Sequence, residues 1–476
     1  MNRRVELILF PAGFIAFGLL LVFAQRMPGL FANTSILGGI LALEVALIGL
    51  SHFESLFFPL LMGSFLWAGT AVAFTEAANS LRWLFLGVGA LGGFAIWIKN
   101  SRLHRFAVFH FVALACVASA CVSAAVSETP RMALLKVCSL FLLFLYASAG
   151  VRLSVAGREK QFITGLALVC EWLAYISAIC YFVMNFRLFG NPNALGAVIG
   201  VVVVPILFWA AFTAETRALR RRRLVALFLC AGLLYVSDSR ASILGATVAV
   251  LMFTIAARYQ RFLFQFALVF LFVFTAMVVV NSSHTDNLVS SVAGRILYKD
   301  PTANHEILES RISPWEQTFS SIQRHPWFGS GFGTSDLGSD RPDSAPSSVS
   351  TAPGWNREHG SSYLALGEYL GLLGAGPFAI LLLMVLHRLI RAFRWVRSSG
   401  NPAHACVPFA LVVIAGLVHA GFEDWLFAVG SYLCVFFWVC AFLLTDLIPP
   451  AEPAKAPSVP RSLPFPLAAQ VSHSVR

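Results

Sequence analysis

The chain has 476 residues, 58% of them hydrophobic and only 12% charged, with a mean hydropathy of +0.77. These values exclude a soluble globular domain. The formal net charge of +11 comes from basic residues dispersed over many turns, not from one aromatic-interleaved patch, and so gives no support to nucleic-acid binding.

Apolar runs of about 17–23 residues recur from the N-terminus onward, each long enough for a spanning helix. Lipid offers backbone groups no water, so such runs must be helices or a closed barrel, and their unbroken length fits helices. The expected spans lie near 7–24, 30–50, 56–74, 83–98, 106–126, 132–151, 162–183, 194–214, 224–239, 241–257, 262–280, 363–386, 407–421 and 425–445. Spans meet closely at Ser51–Ser55 and Ser239–Arg240, where one partner could be re-entrant, so the expectation is an all-α polytopic bundle of about 12–14 helices. The first run follows Arg3-Arg4 as a signal peptide would, but no clean small-residue cleavage pattern follows, and it reads as a retained span. Residues 1–184 read as N-terminal transmembrane helices, 185–448 as the functional region, and 449–476, with seven prolines, as a disordered cytosolic tail.

The basic residues select an orientation. If the N-terminus is cytosolic and the spans alternate, the cytosolic segments hold Arg3, Arg4, Lys99, Arg102, Arg105, Arg152, Arg158, Lys160, Arg217, Arg220–Arg223, Arg258, Arg261, Arg388, Arg391, Arg394, Arg397, Lys455, Arg461 and Arg476. The opposite turns hold few: Arg26, Arg82, Arg131, Arg187 and Arg240. This is the positive-inside pattern. It puts the polar interval Asn281–Ser361 outside the cytosol, on the side of the Asn191-Pro192-Asn193 turn and Arg240. The nine cysteines lie in or beside apolar spans and none is in that loop, so no disulfide framework is expected, and no CxxC or Cys/His zinc spacing occurs.

Three residues on the outer side carry candidate chemistry. Arg240 sits in Ser237-Asp238-Ser239-Arg240, either snorkelling and paired with Asp238 or holding an anion. Arg311 begins Arg311-Ile312-Ser313-Pro314-Trp315, where Pro314 can open a helix and the arginine can be a solvated loop residue. His359, just before the next span, can be surface decoration or a proton acceptor. Asp336, Asp340 and Asp343 form no DxD pair and read as turn formers, so no metal and no cofactor are expected. Phe328-Gly329-Ser330-Gly331-Phe332-Gly333 lacks the preceding strand and the Lys-Ser/Thr of a phosphate loop, and reads as a tight turn near the membrane. Trp315, Trp327 and Trp355 suit interfacial anchoring or sugar stacking. Glu171, mid-span, suits either structural pairing or substrate contact. Lys136 is expected to snorkel. Glu423-Asp424 suits a structural cap or an acceptor-sugar contact.

The ordered series Phe189-Gly190-Asn191-Pro192-Asn193-Ala194-Leu195, Ser237-Asp238-Ser239-Arg240-Ala241, Arg311-Ile312-Ser313-Pro314-Trp315, Pro326-Trp327-Phe328-Gly329-Ser330-Gly331-Phe332-Gly333, then His359, Glu368 and Gly371-Leu372-Leu373-Gly374, resembles the O-antigen ligase/polymerase superfamily from about residue 185 to 385. The resemblance implies a membrane-embedded glycan transferase of the bacterial inner membrane, with its site facing the periplasm, and a direct displacement of the diphosphate would make it inverting. The implied donor is an undecaprenyl-diphosphate-linked glycan and the acceptor a glycan or lipid. Membrane lipids and other polysaccharide-assembly proteins are the further partners. By motif position Arg240 and Arg311 would hold the diphosphate and His359 would act as base, with Asn193, Tyr363 and Glu368 in support. The expected role is cell-surface polysaccharide assembly (O-antigen or exopolysaccharide), with a lean toward polymerisation over ligation. The rival expectations are a transporter or flippase of lipid-linked glycans and a non-catalytic glycan-binding membrane protein.

Overall fold

The computed structural model describes residues 44–46, 48–72, 75–99, 106–259, 309–335 and 359–449. The expected spans near 7–24 and 262–280, most of that near 30–50, most of the 281–361 loop with Asp336, Asp340, Asp343 and Trp355, and all of the tail after Pro449 lie outside the described residues. Among the described residues the regular structure is helical and no strand occurs. The elements are α1 (Phe53–Ala68), α2 (Thr75–Lys99), α3 (Val108–Val126), α4 (Pro130–Val155), α5 (Glu159–Val183), α6 (Pro192–Phe212), α7 (Arg217–Val236), α8 (Arg240–Ala256), α9 (Glu309–Arg324), α10 (Ser362–Ser399), α11 (Cys406–Ala420) and α12 (Tyr432–Leu447). Six of them, α2 to α6 and α10, are long and apolar enough to cross a membrane unaided. A 116° bend separates α1 from Glu44–Ser51, so the closely spaced pair expected at Ser51–Ser55 is a broken or re-entrant segment.

The shorter apolar helices α8, α11 and α12 have 17, 15 and 16 residues. Most side chains of α11 and α12 are buried and none is exposed, as a helix apolar nearly all round requires. The expected span near 425–445 is helical only from Tyr432. Its first residues form a buried connector because their backbone groups are taken elsewhere. Trp425 N and Leu426 N donate to Ser362 Oγ at 3.0 and 3.1 Å, and Leu426 O accepts from Trp438 Nε1 at 2.8 Å. The span near 363–386 is also longer than expected, since α10 runs on to Ser399 and carries Arg388, Arg391, Arg394 and Arg397.

Contacts between turns sort the bundle into two ends. At the basic end Arg152 pairs with Asp446, Arg158 with Glu54, and Trp209 Nε1 donates to Pro402 O at 2.8 Å. At the other end Ala71 N donates to Leu188 O at 2.7 Å and Arg82 to Gly430 O at 2.6 Å. Each of these contacts joins turns or helix segments that the alternating order puts on the same side. Glu171 belongs to the bundle's own wiring: Arg222 Nε lies 2.7 Å and Arg223 Nε 3.1 Å from its two oxygens, while Arg223 also donates to Ala210 O. Its carboxylate is therefore used in structural pairing.

Small residues set how closely the helices of the non-basic end approach. A Cβ on Gly196 would lie 2.4 Å from Ser239 Cβ, one on Gly200 would lie 2.6 Å from Ser242 O, and one on Gly245 would lie 2.8 Å from Ala415 O. These glycines seat α8 between α6 and α11 by the small-residue packing used within membranes. The start of α8, and Arg240 with it, is held beside the end of α11.

Candidate active site

Arg240 is placed by turn chemistry. Asp238 takes φ +52°, a left-handed conformation that Asp tolerates better than most residues. Ser239 N donates to Ser237 Oγ, and Ser239 Oγ and Ser242 Oγ lie 2.7 Å apart. The Ser-Asp-Ser sequence thus closes a three-residue connection and puts Arg240 first in α8. Asp238 attracts its guanidinium and Arg311 repels it. The two arginines, 71 positions apart in sequence, are therefore neighbours in charge.

Arg311 lies in the first turns of α9. That helix starts at Glu309, so Pro314 sits inside it instead of opening it. The helix is amphipathic and packs along α10. Arg311 Nη2 donates to Glu423 Oε1. One turn on, Trp315 Nε1 donates to Gly360 O at 3.2 Å. Gly360 has φ +67°, and a Cβ there would lie 3.1 Å from the indole nitrogen. Trp315 therefore clamps the His359–Gly360 turn, which accounts for the Arg-x-x-x-Trp spacing. Trp327 remains 59% exposed, in keeping with an interfacial ring.

The glycine-rich motif has a structural task. α10 breaks at Gly371, with φ +62° and ψ −171°. The segment Pro326–Gly331 fits into the break through four backbone hydrogen bonds. Ser330 N donates to Glu368 O (2.9 Å) and Gly331 N to Tyr369 O (3.3 Å), while Leu372 N donates to Pro326 O (2.8 Å) and Leu373 N to Trp327 O (3.1 Å). A Cβ on Gly329 would lie 2.4 Å from Leu370 N, and one on Gly371 would lie 2.5 Å from the Trp327 carbonyl carbon. The two motifs are halves of one joint, and the Ser330 and Gly331 amides are committed to it. Lys136 does not snorkel; its Nζ donates to Gly333 O and pins the joint to α4.

His359 is buried between carboxylates. Nδ1 contacts Asp424 Oδ2, and Nε2 lies 3.4 Å from Glu368 Oε2, a contact too poorly aligned to count as a hydrogen bond. Burial opposes charge on this ring, but the hydrogen bond to Asp424 and the attraction of the Asp424 and Glu368 carboxylates outweigh it and push the pKa up to about 9. Glu368 also accepts from Ser335 Oγ, and the Tyr369 ring meets His359 edge-on at 5.1 Å. Lys136 acts on Asp424 through its charge.

Three consecutive residues tie this together. Glu423 holds Arg311, Asp424 holds His359, and Trp425 Nε1 donates to His419 Nδ1 at 2.7 Å. Ser362 fixes the segment, accepting from the amides of Trp425 and Leu426 and donating to Glu423 O at 2.6 Å. Sequence reasoning weighed Glu423-Asp424 only as a cap or sugar contact. The available signal was an acidic pair between two apolar spans on the side that holds the arginines. Asn193 and Tyr363 stand at the starts of α6 and α10. The Asn193 backbone N–H is capped by Asn191 Oδ1 at 2.9 Å, and Tyr363 OH donates to Leu417 O at 2.7 Å. Among the described residues no group of three His, Cys, Asp or Glu side chains is arranged to hold a metal ion.

Among the described residues, a helical, multi-pass bundle gathers guanidinium, imidazole and carboxylate groups at one end. Residues 224–375, which contain Arg240, Arg311, His359 and Glu368, match the family model described as O-antigen ligase. The family implies glycan processing of the ligase/polymerase type on a lipid-linked glycan. No curated protein was found to match the chain. The Glu423–Trp425 segment lies beyond the matched region.

Proposed function

We propose that the protein is a metal-independent, inverting glycan transferase of the bacterial inner membrane. It takes a glycan from an undecaprenyl-diphosphate-linked donor and passes it to a hydroxyl of a glycan or lipid acceptor in cell-surface polysaccharide assembly. Residues 185–448 form its catalytic region. The observation that carries this reading is the single segment Glu423-Asp424, which brings Arg311 and His359 together beside Arg240. The basic end of the bundle lies in the cytosol by the positive-inside pattern, and the site opens on the periplasmic side.

The chemistry follows from the groups present. Arg240 and Arg311 bind the diphosphate, aided by the amide end of α8. The acceptor oxygen attacks the anomeric carbon from the face opposite the diphosphate. The carbon–oxygen bond to the diphosphate breaks, its electron pair stays on the diphosphate, and the two guanidiniums stabilise the charge that develops there. His359 Nε2 takes the hydroxyl proton. Asp424 holds Nδ1–H, so that Nε2 carries the lone pair, and Glu368 stabilises the imidazolium once formed. The leaving group is already activated, so no nucleotide is consumed. Elongation of a polymer is the favoured outcome over ligation to a lipid.

The test is transfer by purified protein in nanodiscs with lipid-diphosphate-linked glycan and acceptor, read by product size. Loss of transfer in His359→Ala and Arg311→Ala is expected. Near-normal rates in both, or movement of donor across the bilayer without bond formation, would overturn the reading.

A further inference from the structure

We infer that His419 is a further donor-binding residue, presenting its Nε2–H to an oxygen of the diphosphate beside Arg311. This rests on the donor reading above and deepens it.

His419 lies one residue before the end of α11 and is buried, 2% exposed. Its tautomer is set by a neighbour. An indole N–H can only donate, so Trp425 Nε1 at 2.7 Å requires a lone pair on His419 Nδ1. The ring is then neutral and its proton is on Nε2. That Nε2 has no hydrogen-bond partner among the described residues, although it is buried. A buried N–H left unmade costs stability, and most such groups find partners. A side chain needed only to accept from Trp425 would carry no second donor.

The surroundings point to what the N–H awaits. His419 lies within electrostatic reach of the Arg311 guanidinium. Both groups are donor-only on the sides concerned, so what they share must be rich in acceptors. Glu423 accepts from one Arg311 nitrogen, and a guanidinium carries five N–H donors in a fixed fork. An oxyanion with several oxygens, such as a diphosphate, can bridge such a pair. Trp425 is a positioning residue in this scheme, since it fixes which ring nitrogen donates.

The experiment uses two variants that divide the ring between them. His419→Asn puts an amide oxygen where Nδ1 stands, keeping the Trp425 contact and losing the Nε2 donor. His419→Gln puts an N–H near the Nε2 position. Binding of a short-chain prenyl diphosphate to full-length protein in nanodiscs is measured by titration calorimetry, with thermal unfolding as the check on folding and Arg311→Gln as the control. His419→Asn should fold normally and weaken binding about tenfold or more, because a hydrogen bond to a charged group is lost. His419→Gln should bind closer to wild type. Unchanged binding in His419→Asn alongside weakened binding in Arg311→Gln overturns the role of His419 and leaves the donor reading standing. Unchanged binding in both overturns the two together.

Discussion

Asp424→Asn removes the negative charge beside His359 while leaving an amide oxygen that still accepts the Nδ1–H. The imidazole of His359, raised to about 9, is neutral in only about 1% of molecules at pH 7. If the neutral ring is the base, kcat/KM rises with pH and levels off above about 9. Losing an opposite charge at contact distance lowers a pKa by about 1–3 units. The rising limb of Asp424→Asn should therefore move down to about 6–8. Its plateau should fall as well, roughly tenfold or more, because a weaker base takes the proton and the imidazolium has lost a partner. Stability changes in a linked way. The folded pKa lies above the unfolded value near 6.5, so the charged His359 stabilises the fold fully below pH 6.5, and this contribution is lost as pH rises through about 9. The difference amounts to about 3 kcal/mol. Wild-type Tm should fall between pH 6.5 and 9.5, and that of Asp424→Asn should fall less. Initial transfer rates and thermal unfolding in nanodiscs from pH 5.5 to 10 measure both. A limb that stays near 9 in the variant would assign it to another group and refute the argument. Wild-type rates that fall through pH 9 would make His359 a cationic anchor instead.

Other perturbations separate the site from its supports. Arg311→Ala and Glu423→Gln should both lower transfer, the arginine by about 10²–10³, on the scale of a lost transition-state donor. In a double-mutant cycle their effects should be non-additive, and additivity would deny the contact. Gly329→Ala combines a positive φ with a clash against the α10 backbone, and should cost about 3 kcal/mol or more of stability, seen as a lower Tm. Glu171→Gln leaves Arg223 buried beside a neutral partner and should destabilise by about 3–5 kcal/mol, while transfer per folded molecule stays near wild type. Transfer should survive EDTA, and strict dependence on added Mg²⁺ would contradict the metal-independent mechanism.

The amino-acid sequence alone determined the helical, multi-pass character of the chain and its basic end. Hydropathy over about twenty residues and the charge of short turns are local quantities, and the bilayer reads them locally. The order of the motifs around Arg240, Arg311 and His359 likewise carried the family resemblance. Tertiary structure decided what those motifs do. Gly329 and Gly371 need no Cβ because two segments some forty residues apart share one backbone joint, and spacing along the chain does not encode that meeting. Glu171 joined the cation pair on α7, and α12 gave up its first turn to a connector held by Ser362. Asp424 became a candidate site residue only through its contact with His359, and His419 only through its unpartnered ring nitrogen and the charge of Arg311, each distant in sequence. A carboxylate's meaning depends on the charge it faces, and packing alone determines which charge that is.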